Sequence, residues 1–300
     1  IISKYAPIRE IPLTTEIKRK AYGKIVCSGK TDLFSVLDKI SMPVKSNFPL
    51  TMEEIGQNYG YILYRTNIKE NETVKEVRLE GANDRVQCYH NNEFLHTFFA
   101  ENLREKVEIS GRNAGGRIDL LCENLSRENF GTGLENQRKG ISCGVKINDH
   151  RQFGYEIYPL SLDKKQIEAI DFDCGYIENS PAFYRFDFEA DELCDTFLNT
   201  DGFDKGCAFI NGFNLGRFWK LVRKKDCIFL RRFSKKEKIQ SLFLRQKATL
   251  LIVFYYVKKL ILVKYDRRYH ADSENLSGYA PLRLSCTLKA MRCTGRCLCE

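Results

Sequence analysis

The chain has 300 residues, 43% of them hydrophobic and 29% charged, with a formal net charge of +9. That length and balance exclude a disordered chain and a disulfide-stapled miniature, and they provide core enough for one large domain or two ordinary ones. With 20 Gly and 7 Pro, collagen-like and low-complexity classes are excluded as well. The charge is unevenly spread: residues 222–300 hold 19 basic and 6 acidic residues, a net +13, whereas the first 221 hold 29 and 33, a net −4. A positive chain would ordinarily prompt a search for nucleic acid or an anionic membrane, but here the basic character belongs to the last quarter alone.

The N-terminal run I-I-S-K-Y-A-P-I-R-E lacks both a starting Met and an apolar stretch ahead of a cleavage site, so it does not read as a signal peptide. Thr31 is expected to cap a short helix through Ile40. Strands follow at Tyr61–Thr66, Val74–Leu79, Arg85–Tyr89, Phe94–Phe99, Ile118–Cys122, Ile141–Ile147 and Tyr155–Leu160, with Asn91-Asn92 turning one hairpin. A second short helix is expected over Asp163–Ile170, then a strand at Phe183–Phe188. Cys207–Ile210 and Phe213–Trp219 form another hairpin around Asn211-Gly212, a dipeptide that supplies the positive φ a type I′ turn needs. The most apolar stretch, Ala248–Val263, is broken by Lys258 and Lys259, and neither side reaches the ~20 residues of a membrane helix. No nucleic-acid or membrane partner is expected. A cytoplasmic, reducing location is expected, with the body's cysteines unpaired in the core.

Two segments repeat. Residues 84–99, D-R-V-Q-C-Y-H-N-N-E-F-L-H-T-F-F, align without a gap on 204–219, D-K-G-C-A-F-I-N-G-F-N-L-G-R-F-W, at an offset of 120. Tyr64-Arg65 falls on Tyr184-Arg185 at the same offset. The reading is an all-β chain of two tandem antiparallel β-sandwiches with few short helices; two generic hairpins in one large sandwich is the alternative. The expected divisions are a leading linker over 1–45, a first sandwich over 46–160, an incomplete second over 161–245 and an irregular, aberrant tail over 246–300.

The string K-G-x-x-F-I-N-G-F-N-L-G-R-F-W at Lys205–Trp219 resembles the C-terminal jelly-roll domain of glycoside hydrolase family 35 β-galactosidases. Glu54–Gly60 with Leu63–Thr66, Glu123–Gly131 (E-N-L-S-R-E-N-F-G) and Lys139-Gly140-Ile141 resemble motifs of the family's first sandwich. The likeness covers roughly residues 45–221. It implies two jelly-roll, galactose-binding-like sandwiches, with Asn211, Gly212, Asn214, Gly216 and Arg217 as structural signature residues and no cofactor. It also implies a β-galactoside or galactose partner, reached through a catalytic (β/α)₈ barrel that carries two Glu, and it allows a homodimer in the intact family.

Such a barrel needs ~250 residues, and fewer than 50 precede the first sandwich motif. No catalytic residue is assigned. The acids that could be offered as a pair, Glu53-Glu54 or Asp187 with Glu189, read as solvated faces, since adjacent strand residues point opposite ways. By the resemblance, Phe130 occupies the aromatic place of an N-Y-G element that approaches the mouth of the catalytic pocket, without the tyrosine hydroxyl. Trp219, the one Trp, can stack on a sugar or plug the core, and core is the better fit. Phe130 and Trp219 are therefore the candidate carbohydrate-facing residues. Cys293, Cys297 and Cys299, with Cys286 and His270, have no standard metal-ligand spacing, and no metal site is assigned. After Leu221 the chain leaves the family pattern. A one-nucleotide frameshift would restore G-P-K-K-R-L-Y and, at Glu237–Arg245, K-N-T-I-V-I-F-E; the coding DNA tests that. The functional expectation is the non-catalytic sandwiches of a β-galactosidase, with a stand-alone carbohydrate-binding module or the product of a decayed gene as alternatives.

Overall fold

The computed structural model describes residues 19–99, 107–108, 114–131, 134–188, 194–200, 203–219, 226–229, 239–245 and 282–285. In chain order the elements begin with β1 (Ile25–Asp32), α1 (Leu33–Ile40), β2 (Val44–Ser46), β3 (Tyr61–Thr73), β4 (Glu76–Asn83), β5 (Arg85–His90), β6 (Glu93–Phe99), β7 (Val107–Glu108) and β8 (Ala114–Glu123). They continue with β9 (Gly140–Ile147), β10 (His150–Arg151), β11 (Tyr155–Leu160), α2 (Lys164–Glu168), β12 (Ala182–Phe188), β13 (Thr196–Asn199), β14 (Lys205–Ile210) and β15 (Phe213–Trp219). Three further strands, β16 (Asp226–Phe229), β17 (Ile239–Arg245) and β18 (Leu282–Ser285), complete the described elements.

Both hairpins form where their turn residues dictate. Asn91 and Asn92 take φ of 48° and 69°, and Asn211 and Gly212 take 48° and 81°, the doubly left-handed turn that matches strand twist. Each hairpin then carries the same bulge. Leu95 is the extra residue where Cys88 pairs His96 and Tyr89 pairs Phe94, and Leu215 is the extra residue where Ala208 pairs Gly216 and Phe209 pairs Asn214. The two leucines are 120 positions apart. Because β6 ends its sheet, its bulge bends an edge that would otherwise present a flat template to another chain.

The repeat extends to sheet order. A six-stranded antiparallel sheet runs β2-β11-β3-β8-β5-β6, and within an eight-stranded sheet the run β1-β12-β17-β14-β15 reproduces its last five places. Tyr64 pairs Leu120 and Ile157, while Tyr184 pairs Phe243 and Lys30. Ile239–Arg245 thus fills the central place that β8 fills in the first unit. A four-stranded sheet, β10-β9-β4-β7, closes the first sandwich. The eight-stranded sheet continues past β1 through β18, β13 and β16, and β16 comes back into contact with β15, so this sheet curls toward closure.

The six-stranded sheet is buried on both faces. Ile62, Tyr64, Val86, Cys88, Leu120 and Cys122 point into the first sandwich. Their strand neighbours Tyr61, Leu63, Tyr89 and Leu121 point the other way, onto α1 and onto Phe183, Cys207 and Phe209 of the second unit. This explains why β5, R-V-Q-C-Y-H, is buried throughout despite its polar letters. Inside the second unit, Tyr184, Phe186, Ala208 and Phe218 form a separate core.

Two expectations need correction. Residues 25–32, expected within a linker, form β1, which pairs with β12, so the second unit takes a strand from ahead of the first; the short helix expected through Ile40 forms as α1. The cap of α1 is Asp32, not Thr31. Thr31 still belongs to the sheet opposite Phe183, and its hydroxyl donates to the Gly175 carbonyl at 2.8 Å. Asp32, one residue later, accepts from the Ser35 N–H at 3.0 Å and the Ser35 hydroxyl at 2.5 Å. For α2 the cap is Asp163, within the expected span.

Candidate functional site

The two units meet around one buried carboxylate. Glu123 ends β8, Arg85 opens β5 and Lys205 opens β14, and all three are buried. Glu123 pairs with Arg85 at 3.5 Å and forms a hydrogen-bonded ion pair with Lys205. Each cation also lies over an aromatic ring at the end of the facing strand: Arg85 is 5.9 Å from the centre of Phe99, and Lys205 is 4.6 Å from that of Trp219. Arg85 and Lys205 are repeat mates, as are Phe99 and Trp219, so a single acid is shared by two equivalent cation–aromatic pairs. Burial pulls the Lys205 ammonium below the usual lysine range, with Glu123 acting in the opposite direction.

Beside this cluster the Tyr61 hydroxyl lies 3.3 Å from the Cys207 sulfur, joining the first unit to the second. Burial pushes the Cys207 thiol up to about 11, the Tyr158 hydroxyl up to about 12, and the Tyr61 and Tyr64 hydroxyls well above 10. The folded chain therefore keeps protons that the unfolded chain releases, which makes unfolding easier as pH rises. Stability is fully present below pH 9, where the unfolded thiol begins to ionise, and is lost progressively toward about pH 12. Lys205 works against this trend, but one group opposes four. Urea midpoints measured across that window are expected to fall. A flat midpoint would contradict the burial of these groups.

Beyond Glu123 the chain enters a loop pinned at successive residues. The Asn124 amide donates to the Asn58 carbonyl at 3.1 Å and its oxygen accepts from the Ser126 N–H at 3.0 Å. The Leu125 N–H donates to Asp84 at 2.7 Å, and the other Asp84 oxygen holds Lys139. Arg127 pairs with Glu53 at 2.5 Å and also bonds the Gln137 carbonyl; Glu128 and Gln137 bond each other twice. Past these pins the loop presents Phe130 with 91% of its surface exposed. From the second unit, Arg217 reaches the carbonyls of Asn124 and Leu125 at 2.8 and 2.9 Å.

Phe130 and Trp219, the two carbohydrate-facing candidates, are not brought into contact among the described residues. Phe130 is free-standing, whereas Trp219 is half-buried with one face covered by Lys205. Asn211 and Gly212 make the turn, and Asn214 accepts from the Gly216 N–H at 2.7 Å where Gly216 takes φ of 113° at the bulge. The acids considered as a catalytic pair are otherwise engaged. Burial favours protonation of Glu53, but the Lys139 N–H and the Arg127 guanidinium outweigh it and hold the carboxyl below the usual range. Glu54 accepts from Thr51, and Asp187 accepts from Ser28 and forms an ion pair with Arg185. Glu189 lies outside the described residues. Seven cysteines are free among the described residues; Cys88, Cys122, Cys194 and Cys207 are buried, but Cys143 is exposed rather than in the core, because it lies at the irregularity where β9 passes Gly81. No group of His, Cys, Asp and Glu among the described residues can hold a metal, and the tail cysteines and His270 lie outside them. No described helix is long and apolar enough to cross a membrane.

Sequence reasoning missed the Glu123 junction. Its one available signal was that the repeat match places a cation opposite an aromatic in both hairpins.

These features define a pair of fused, related β-sandwiches. Residues 49–161 match the β-galactosidase first all-beta domain, and residues 181–249 match the β-galactosidase galactose-binding domain. The chain belongs to the β-galactosidase family through these two β-domains. A β-galactosidase of Bos taurus is 31% identical over 259 residues, covering 77% of this chain and 38% of that protein. The Homo sapiens β-galactosidase is 30% identical over 243 residues (73% and 36%), and that of Xanthomonas manihotis 29% over 197 residues (66% and 32%). The chain thus spans well under half the length of the curated relatives it matches.

Proposed function

We propose that this chain is the accessory part of an enzyme that hydrolyses terminal β-galactosyl residues, with catalysis carried by a (β/α)₈ barrel outside these 300 residues. The observation that carries the reading is the tandem of two β-galactosidase β-domains, which leaves 48 residues ahead of the first match, against the ~250 a barrel needs. In this reading Phe130, bare on its pinned loop, faces the mouth of the sugar pocket that the barrel opens. A homodimer of the intact enzyme belongs to the same proposal. A cytoplasmic location is proposed on the free cysteines, and a shifted reading frame on the G-P-K-K-R-L-Y that one base of shift restores after Leu221, although the galactose-binding match itself runs on to residue 249. Purified chain mixed with a chromogenic β-galactoside is expected to release no chromophore above the blank. Turnover that follows the chain through purification would overturn the assignment of catalysis to another segment.

A further inference from the structure

We infer that Arg217 is a positioning residue through which the second sandwich sets the loop that presents Phe130 from the first. The inference rests on the reading of Phe130 as a pocket-facing group, but its physical basis is separate. The side-chain pins at Leu125, Arg127 and Glu128 all come from the first unit. The backbone carbonyls of Asn124 and Leu125 are held by the second unit, through one guanidinium.

Arginine suits this task because its planar fork can donate to two successive carbonyls at once, which a lysine ammonium on a flexible stem does not reproduce. The sandwich architecture does not demand it: the repeat mate of Arg217 is Thr97, whose hydroxyl is buried without a hydrogen-bond partner. The two carbonyls directly precede Ser126, which holds φ of 113°, a conformation an L-residue keeps only when its neighbours enforce it. Phe130 is 91% exposed, so among the described residues its direction is inherited from this backbone. Arg217 is itself exposed, and its removal therefore acts on the loop far more than on the core. Movement in the galactose-binding unit would reach Phe130 by this contact.

The test uses the full chain with Arg217→Ala and Arg217→Lys, followed by hydrogen exchange and by the ¹⁹F signal of a fluorophenylalanine placed at position 130. For Arg217→Ala, amide exchange over 126–131 is expected to rise on the order of tenfold, the loss of two charge-assisted surface bonds. Exchange in β5 and β14 should stay unchanged, and the ¹⁹F line should narrow. Arg217→Lys should fall between the two. Unchanged loop exchange, a rise shared equally by β5 and β14, or full rescue by lysine would each overturn the inference. None of these readouts uses a sugar. If Phe130→Ala leaves galactoside turnover unchanged in an enzyme that carries the barrel, while the loop still loosens in Arg217→Ala, the pocket reading fails and the clamp stands.

Discussion

Replacing Glu123 with alanine is expected to cost roughly 3–5 kcal/mol of stability, because it leaves two buried cations without their shared counter-charge. Arg85 and Lys205 both face that carboxylate. Neither can regain water without drawing the first residue of a strand, β5 or β14, out of its sheet. Lys205→Met should cost clearly less: the new side chain still covers Trp219, and Glu123 keeps Arg85. The ranking is the discriminating result in urea melts. Equal losses would locate the effect in the ammonium and not in the shared acid. A Glu123→Ala loss below about 1 kcal/mol, the size typical of exposed pairs, would mean that water reaches the junction.

Phe209→Ala is expected to remove about 3–5 kcal/mol, the range for emptying a buried phenylalanine site. Its ring is buried in the cluster that joins α1, the outer face of the six-stranded sheet and the second unit. The loss should appear in both sandwiches at once. Trp219 is the only Trp, so its fluorescence reports the second unit. The thiols of Cys88 and Cys122, fully buried in the first, report the other through their reactivity. Coincident midpoints for the two probes are expected before and after the substitution. If Trp219 shifts while the thiols do not, the shared cluster does not couple the units.

Much of the architecture was legible because it is encoded locally. Asn211-Gly212 favours one turn type, and the 120-residue match placed the strand and the hairpin of both units in one register. What escaped notice depends on distant partners. β1, I-V-C-S-G-K-T-D, alternates poorly, and its strand identity comes from β12, far along the chain. Thr31 and Asp32 are both good caps by composition, and only the pairing of Thr31 opposite Phe183 decides between them. Glu123 belongs to a recognisable motif, yet its role is set by Lys205, 82 positions away. The candidate site was half visible: Phe130 could be singled out from its motif, but not the arginine from the other unit that holds its root.

The borrowed strand has a consequence for synthesis. Asp32 pairs with Ala182, so β1 leaves the ribosome roughly 150 residues before its first partner. At ~5–20 residues per second that is a wait of about 8–30 s, during which the whole first sandwich can form between the two. An apolar strand left unpaired that long would recruit other nascent chains. β1 instead carries Ser28 and Lys30 at its centre. The polarity that disguises it as a linker is what allows it to wait.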